Sequence, residues 1–405
     1  MSDAGPFAGK PQALALIILA QILALAVWFS GAAALPGLIA AAELSAFAQA
    51  ALTSSVQAGF VIGALASAIY GWPDRMDPRR LFALGAVLAA LTNFIALALE
   101  PGSIMMIATR FISGAALALV YPVGMKLAAS WARGDTGLLV GLLVGALTLG
   151  SAAPFAFNAL ELGLGWQGPF LISGLTAFIA AGLILFARGG PGLKPAPPFN
   201  PGAALAAIRD PALRLANLGY LGHMWELYAM WAWIGPFAYA YWTAQGAAGE
   251  LGDITAFAVV ASGALSCVIA GRLADRFGRT LITSLAMAIS GACALIVGLA
   301  FSLPPWIMLP LLIIWGMSVI ADSAQFSAAI AELSPPERTG TLLTLQTAMG
   351  FALTVIMVQV LPLWIEFAGW SWGFAPLAIG PAFGVWAMLR LRARPEAAKL
   401  ASGRR

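Results

Sequence analysis

The segment LGHMWELYAMW, residues 221–231, contains the only histidine of the chain, His223, and a glutamate three residues later, Glu226. Residues three apart lie on the same side of an α-helix. Their neighbours are aromatic and aliphatic, so both groups should be removed from water. Burial disfavours the charged form of a carboxyl group and histidine titrates near neutrality, so the two can exchange protons at physiological pH. A purely structural pair of hydrogen-bonded side chains is the simpler interpretation.

The segments around these residues are long, apolar and numerous. The chain has 405 residues, of which 61% are hydrophobic and 9% are charged, and its mean hydropathy is +0.90. A soluble domain carries about 25% charged residues, and a helix needs about 20 apolar residues to cross a bilayer. The sequence therefore predicts a membrane protein with twelve spans. The predicted spans are 12–37, 46–71, 80–99, 103–131, 136–159, 168–187, 212–241, 253–271, 280–302, 305–330, 339–365 and 370–390.

The positions of the basic residues test this count independently. When twelve spans cross a bilayer with both termini on one side, all but two of the 21 Lys and Arg residues fall on that side. Basic loops stay in the cytoplasm, so we expect a multi-pass protein of a bacterial inner membrane with both termini cytoplasmic. The net charge of +4 then reflects topology and gives no indication of nucleic-acid binding.

Short features recur about 200 residues apart in the sequence. Asp74-Arg75 followed by Arg79 returns as Asp275-Arg276 followed by Arg279. This repetition, at half the chain length, predicts a duplicated six-helix unit. The predicted organisation is an N-terminal bundle at 1–188, a cytoplasmic linker with a short surface helix at 189–211, a C-terminal bundle at 212–392 and a basic tail at 393–405.

The loop GRLADRFGRT, residues 271–280, resembles the loop signature of the major facilitator superfamily of secondary transporters. Gly271, Asp275, Arg276, Gly278 and Arg279 match that signature, and the first-half copy keeps Asp74, Arg75 and Arg79. In span four, Arg110, Gly114 and Ala118 resemble the family's Arg-x-x-x-Gly-x-x-x-Ala element, which is associated with proton coupling.

The resemblance implies an all-α membrane protein in which two pseudo-symmetric six-helix bundles surround a central cavity. Spans one, four, seven and ten would line that cavity, and the loop signatures would form a cytoplasmic gate. Five ionisable residues lie within three of these four spans: Arg110, Lys126, His223, Glu226 and Asp322. A charge at the bilayer centre costs on the order of 3 kcal/mol or more, so these residues should face protein or a wet cavity.

These placements give two sets of candidate residues. The proton-coupling candidates are His223, Glu226, Asp322 and Arg110. The substrate-cavity candidates are Arg110, Lys126, Trp28, Tyr121, Tyr220, Tyr228 and Gln325. Arg110 could be a substrate clamp, a counter-ion or a helix anchor, and Lys126 could instead lie at the membrane boundary. The aromatic residues could equally pack between helices.

The sequence lacks a phosphate-binding loop, a His/Cys cluster for a metal and a soluble domain large enough for an enzyme. We therefore expect a monomer that is not an enzyme, has no cofactor and binds a small molecule and protons in the lipid bilayer. The leading hypothesis is proton-coupled secondary transport of a small anionic organic solute by rocking-bundle alternating access. The anionic solute follows from Arg110 and Lys126, which could bind a carboxylate.

Two alternatives remain open at this stage. The first is a proton-driven exporter of lipophilic or cationic compounds, attracted by Glu226 and Asp322 and by aromatic cavity walls. The second is a transport-inactive relative that acts as a receptor.

Overall fold

The structure is a computed structural model that describes residues 9–133, 135–160, 163–195, 197–200, 202, 204–247 and 249–404. Its described part is built from helices, as the sequence predicted. The α-helices are α1 Lys10–Leu25, α2 Ser30–Ala41, α3 Ala46–Tyr70, α4 Trp72–Arg75, α5 Pro78–Ala96, α6 Ile104–Leu117, α7 Tyr121–Ala129, α8 Thr136–Ala159, α9 Gln167–Phe186, α10 Ala204–Arg209, α11 Pro211–Ala244, α12 Glu250–Phe277, α13 Arg279–Leu299, α14 Pro305–Ala321, α15 Ser323–Leu333, α16 Pro336–Gly373 and α17 Ile379–Arg392. Two 3₁₀ segments, Ala375–Ala378 and Pro395–Gly403, flank α17.

Among the described residues, ten segments are long and apolar enough to cross a membrane. Three of these consist of two helices each, namely α1–α2, α6–α7 and α14–α15. The remaining two predicted spans correspond to α11 and to the segment from Ala375 to Arg392. Helix α11 has 34 residues, ample length for a span, but its polar and aromatic side chains lower its hydropathy. The twelve-helix prediction therefore agrees with the fold.

Gly369 lies between the last two predicted spans, which we expected to end at 365 and to begin at 370. Within α16 this residue has φ 65° and ψ 177°, so the residues before and after it form two helical segments joined by a kink. A glycine adopts this conformation without the steric penalty that other residues meet. The kink therefore lies at the predicted junction of the two spans.

Helix ends follow local sequence signals. Asp210 accepts hydrogen bonds from the amides of Ala212 and Leu213, at 2.8 and 3.1 Å, and Pro211 occupies the first position of α11. Asp77 caps α5 in the same way, with Pro78 as the next residue. A side-chain oxygen satisfies a free helix amide, and proline at the first position has no amide to satisfy.

The loops rich in Lys and Arg lie together at one end of the molecule, here called the basic end. Lys10 Nζ is 2.6 Å from Asp135 Oδ2, and Trp131 Nε1 donates to the Arg188 carbonyl at 2.9 Å. In the second part of the chain, Arg392 donates to Thr280 at 3.1 Å. These contacts join loops that alternate with spans, as a chain that crosses the bilayer back and forth requires.

We call residues before 189 the N-terminal half and residues after 211 the C-terminal half. The halves meet along two helix pairs, α3 with α16 and α8 with α12. Near the end opposite the basic end, Gln359 donates to Ser54 at 2.8 Å and Asn158 donates to Asp253 at 2.7 Å. Gly141 and Gly145 of α8 face the carbonyls of Cys267 and Ala264, which allows α8 and α12 to approach closely.

Candidate functional site

A cavity of about 50 Å³ lies between the halves, closer to the basic end than to the opposite end. Helices α7, α8, α11, α15 and α16 form its wall. Three predicted cavity residues, Tyr121, Tyr220 and Tyr228, are in this wall, and the latter two follow the helical spacing of α11 with Met224 between them. The lining residues are Tyr121, Met125, Val140, Val144, Leu147, Tyr220, Met224, Tyr228, Ser323, Ala324, Ser327, Thr347 and Phe351.

Six aromatic side chains from both halves pack against one another, and two of them, Tyr228 and Phe351, belong to the cavity wall. We call these six the aromatic cluster: Trp28, Phe29, Phe60, Tyr228, Trp231 and Phe351. The Trp28 ring centroid is 4.9 Å from that of Phe60, 5.4 Å from that of Phe351 and 5.8 Å from that of Tyr228. Phe29 contacts Tyr228 and Trp231, with centroids 6.0 and 5.8 Å apart. Trp28 was a predicted cavity residue, and here it is a buried part of this cluster.

Arg110 is completely buried, and its guanidinium group is surrounded by neutral oxygens. Nη2 donates to the carbonyls of Val27 and Trp28, at 2.7 and 3.2 Å. Nη1 donates to Asn93 Oδ1 at 2.7 Å and to Ser113 Oγ at 3.3 Å. Nε donates to the carbonyl of Leu52 at 3.4 Å. Helix α6 therefore holds the α1–α2 junction, α3 and α5 through one side chain.

Arg110 was predicted to line the cavity, and the structure places it elsewhere, whereas its part in proton coupling stays a prediction. Each of its three nitrogens already donates to the protein, and the residue is absent from the cavity wall. Of the three roles that the sequence left open, the helix anchor is the one that these contacts fit.

Lys126 and Gln325 were also expected at the cavity and lie elsewhere. Lys126 Nζ pairs with Asp74 and donates to the Pro73 carbonyl at 2.9 Å, so it lies at the boundary near the basic end. Gln325 Oε1 accepts from Arg279 Nη1 at 2.7 Å and is 3% exposed. The prediction placed both side chains at the cavity, but their polar groups bind residues near the basic end instead.

His223 pairs with Asp322, which lies at the junction of α14 and α15. His223 Nδ1 is 2.9 Å from Asp322 Oδ1, and both side chains are 1% exposed. The two atoms are at ion-pair distance without aligned hydrogen-bond geometry, so Asp322 Oδ1 has no hydrogen-bond partner among the described residues. His223 Nε2, on the other side of the ring, has none there either. The rings of Tyr220 and Phe326 flank the imidazole, with centroids 6.0 and 5.5 Å away. The pair is thus buried and incompletely satisfied.

Glu226 has different partners from His223. Its Oε1 accepts from Trp315 Nε1 and its Oε2 accepts from Ser290 Oγ, each at 2.7 Å. Glu226 is 1% exposed. Trp315 precedes Asp322 on α14 by about two helical turns, so one face of span ten contacts both titratable residues of α11. Neither Trp315 nor Ser290 was singled out from the sequence. The available signals were the spacing of Trp315 from Asp322 and, for Ser290, a serine within an apolar span.

The three titratable residues lie one layer behind the cavity wall. Tyr220 and Met224, on either side of His223, line the cavity, and so does Ser323, which follows Asp322. His223, Glu226 and Asp322 themselves do not line it. Of the two surroundings that the sequence predicted, protein or a wet cavity, these groups have the first, because the cavity face of α11 carries aromatic residues and its adjacent face carries the titratable ones.

The loop signatures form ion pairs within each half. Arg279 bonds to both oxygens of Glu332, at 2.7 and 2.6 Å, and its Nη2 is 3.3 Å from Asp275. Gly278 joins α12 to α13 with φ 100° and ψ 144°, a backbone conformation that residues other than glycine rarely adopt. Gly271 lies beside Gln325, while Arg75 and Arg276 are exposed.

In the first half, Arg79 pairs with Asp77 at 2.6 Å and Asp74 pairs with Lys126. The hydrogen bond from Arg79 holds the pKa of Asp77 below its usual value. These pairs connect residues of the same half, so they stabilise each half internally. The sequence did not indicate Glu332, which also accepts from the amide of Ala401 in the C-terminal 3₁₀ segment, at 3.0 Å.

A family model for the Major Facilitator Superfamily matches residues 17–353. The chain belongs to this superfamily. The predicted resemblance is confirmed, and the protein is a transporter of the major facilitator superfamily rather than a member of an enzyme family.

Solved structures of the superfamily share its fold. The crystal structure of a D-xylose-proton symporter aligns with a TM-score of 0.75 and 16% identity, and covers 95% of this chain and 98% of that chain. The nucleoside transporter NupG, in a mutant form, aligns with a TM-score of 0.71 and 13% identity over 94% and 99% of the two chains. The proton:xylose symporter XylE bound to 6-bromo-6-deoxy-D-glucose aligns with a TM-score of 0.70 and 16% identity, and the alignment covers 94% of this chain and 95% of that chain.

A D-xylose transporter of Levilactobacillus brevis is 34% identical over 129 residues. That match covers 30% of this chain and 26% of the relative. The matched part is thus about a quarter of the relative's length, and the structural similarities, all below 20% identity, show the fold alone.

Proposed function

We propose that this protein is a proton-coupled secondary transporter that works by alternating access of its two halves to a central cavity. The observation that carries the proposal is the buried set His223, Asp322 and Glu226 directly behind the cavity wall of the C-terminal half. Histidine and carboxylate side chains form the proton relays of many transporters, and buried ionisable groups in spans are usually functional.

Protonation of this set would change how span seven contacts span ten. An ionised Asp322 attracts a protonated His223, whereas neutralising one partner removes that attraction. Because Tyr220, Met224 and Ser323 are sequence neighbours of the pair and line the cavity, a change in the pair would be transmitted to the wall. This gives the proton a structural route to influence solute binding.

We further propose that the solute is uncharged and carries hydroxyl groups, rather than the anionic solute that the sequence suggested. The anionic prediction depended on Arg110 and Lys126, both of which are engaged by the protein itself. The cavity wall instead offers tyrosine, serine and threonine side chains. Next to it, Trp28 Nε1 and Trp231 Nε1 are buried without a hydrogen-bond partner among the described residues. Aromatic surfaces with a few polar groups suit such a solute.

The names of the relatives support this class, since two of the similar structures are xylose symporters and the partial match is to a D-xylose transporter. The exporter alternative required Glu226 and Asp322 to attract cations in the cavity, and both lie behind its wall. We retain the proposal that the basic end faces the cytoplasm of a bacterial cell, on the positive-inside rule.

The test is transport by the purified full-length protein in proteoliposomes. We expect D-xylose or another neutral sugar to accumulate when an inward proton gradient is imposed, with internal acidification that a pH-sensitive dye reports. A thermal-shift panel of pentoses, hexoses, nucleosides and carboxylic acids identifies the class of solute. Uptake that ignores the pH gradient would refute proton coupling, and stabilisation by carboxylic acids alone would refute the neutral solute.

A further inference from the structure

The first span is interrupted between α1 and α2, at residues 26–29. Within this break, the amides of Trp28 and Ser30 bond to carbonyls three residues earlier, at 3.0 and 3.4 Å. The regular helical pattern resumes at Phe29, whose carbonyl accepts from Ala33 at 2.9 Å. The Val27 carbonyl also accepts from Ser30 Oγ at 3.0 Å, and Arg110 Nη2 donates to the carbonyls of both Val27 and Trp28. A membrane span tolerates such a break only where other groups satisfy its backbone.

Arg110 suits this task because the guanidinium group is a planar fork. It reaches two adjacent carbonyls with one nitrogen and the Leu52 carbonyl with another. Gly31 permits the approach, since a Cβ at that position would lie 2.8 Å from the Leu52 carbonyl oxygen and 3.5 Å from Arg110 Nε. A lysine has a single nitrogen and could not span the same acceptors.

The break also determines where the side chains of Trp28 and Phe29 lie. Both are fully buried members of the aromatic cluster, and both contact residues of the C-terminal half. Trp28 Nε1 has no hydrogen-bond partner among the described residues, so a polar contact of the side chain does not fix the ring. The position of the ring therefore depends on its backbone and on its aromatic neighbours.

We infer that Arg110 is a positioning residue that holds the α1–α2 break in the shape that places Trp28 across the boundary between the halves, where it seals the cavity. Arg110 acts through Trp28 and neither carries the proton nor binds the solute. The physiological meaning of the seal rests on the proposed transport function, but its existence does not, and the following test needs no transport.

The experiment measures access to the cavity from the end opposite the basic end. Ser327 in the cavity wall is replaced by cysteine in a background with Cys267→Ala and Cys293→Ala, and a membrane-impermeant maleimide is added from that side. We expect slow labelling in this parent. Arg110→Lys should increase the labelling rate about tenfold, because losing a hydrogen bond to a charged group shifts an equilibrium by that order. Trp28→Ala should increase it at least as much, because it removes the sealing ring itself.

The double variant separates positioning from an independent effect. If Arg110 acts through Trp28, Arg110→Lys combined with Trp28→Ala should label no faster than the faster single variant. Lys126→Arg is the matched control, since it makes the reverse change of cation in the same span and keeps the pair with Asp74. We expect its labelling rate within about twofold of the parent, as exposed ion pairs contribute little.

If Arg110→Lys does not fold, Asn93→Ala replaces it, because this variant removes one neutral acceptor of the guanidinium group and leaves the charge. It should raise the labelling rate about threefold, the effect of a modest hydrogen-bond loss. Labelling at the parental rate in the folded variants, or effects that multiply in the double variant, would overturn the inference. A transport assay with a shifted pH profile in Arg110→Lys would also contradict it, because that profile reports on proton coupling rather than on positioning.

Discussion

The two halves of this transporter bury charge in opposite ways. Among the described residues of the N-terminal half, the buried charged side chain is Arg110, which carbonyl, amide and hydroxyl oxygens surround. The C-terminal half buries His223, Asp322 and Glu226, whose partners are one another, Trp315 and Ser290. A guanidinium group engaged by neutral oxygens fixes helices in place, whereas an imidazole beside a carboxylate changes its attraction when a proton moves. Under the proposed mechanism, the N-terminal half would then serve as the scaffold and the C-terminal half as the part that responds to protons.

The basic end repeats the comparison in a milder form. In the first half, Asp74 pairs with Lys126, a flexible point charge. In the second half, Arg279 forms a two-pronged contact with Glu332 and a further bond to Gln325. A bidentate arginine contact is more rigid than a lysine pair, and Glu332 in addition holds the C-terminal segment through Ala401. The two loops are therefore similar in sequence but differ in the number and rigidity of their polar contacts.

The largest effect should come from Asp322→Asn, which removes the carboxylate beside His223. This carboxylate belongs to the set that we propose exchanges the coupled proton, so we expect accumulation driven by a pH gradient to fall at least about 100-fold. Exchange of labelled for unlabelled solute, which needs no net proton movement, should persist. The measurement compares both assays in proteoliposomes.

Glu250→Gln is the control for that variant, because Glu250 is exposed at the opposite end and its loss should leave both assays unchanged. Asp322→Asn with normal pH-driven accumulation would mean that the C-terminal pair is structural, and the contrast between the halves would then disappear.

The next effect concerns Trp315→Phe, which keeps a buried ring but removes the N–H that donates to Glu226. Hydrogen bonds to charged groups contribute about 1.5–3 kcal/mol, so we expect roughly a tenfold or greater change in transport rate, together with a displaced pH–rate profile. Trp225→Phe is matched to it, since Trp225 donates to the Pro376 carbonyl at 3.0 Å rather than to a carboxylate. An identical pH profile in both variants would show that Glu226 takes no part in proton exchange.

The sequence predicted the helices well and the site only in part, for a physical reason. Spans are encoded by local hydropathy, and the cavity positions of Tyr220 and Tyr228 follow from helical periodicity. The roles of Arg110 and Gln325 are set by partners distant in the chain, and for Arg110 these are backbone carbonyls that any residue supplies. Likewise, the sequence could place His223 and Glu226 on one helix, but only the packing of span ten shows that each has its own partner.

A smaller effect is expected for Glu332→Gln in the C-terminal half. The neutral amide loses the ion pair with Arg279, and we expect the free energy of unfolding to fall by about 1–3 kcal/mol, as for a lost charge-assisted hydrogen bond. Because Ala401 also donates to this carboxylate, the tail after Arg394 should become more sensitive to carboxypeptidase digestion. Glu337→Gln, at an exposed position on α16, is the control. Unchanged digestion would show that burial of Leu400 suffices to hold the tail.

The smallest effect lies at the equivalent loop of the N-terminal half, where Asp77 both caps α5 and pairs with Arg79. Asp77→Asn keeps a capping oxygen and loses only the ion pair, so it should cost about 0.2–1 kcal/mol, whereas Asp77→Ala also loses the cap and should cost about 1 kcal/mol more.

The pH dependence of that loop has a definite sign. The pKa of Asp77 is lowered in the folded protein, chiefly by the hydrogen bond from Arg79. Its stabilising contribution is therefore fully present above the ordinary aspartate pKa of 3.8 and is lost as the pH falls through the lower folded value. Thermal unfolding in detergent should show a difference between wild type and Asp77→Asn at pH 7 that shrinks at pH values below about 4. A difference that instead grew on acidification would mean that the carboxylate destabilises this loop, and that the first-half loop is not the weaker counterpart of the Arg279–Glu332 network.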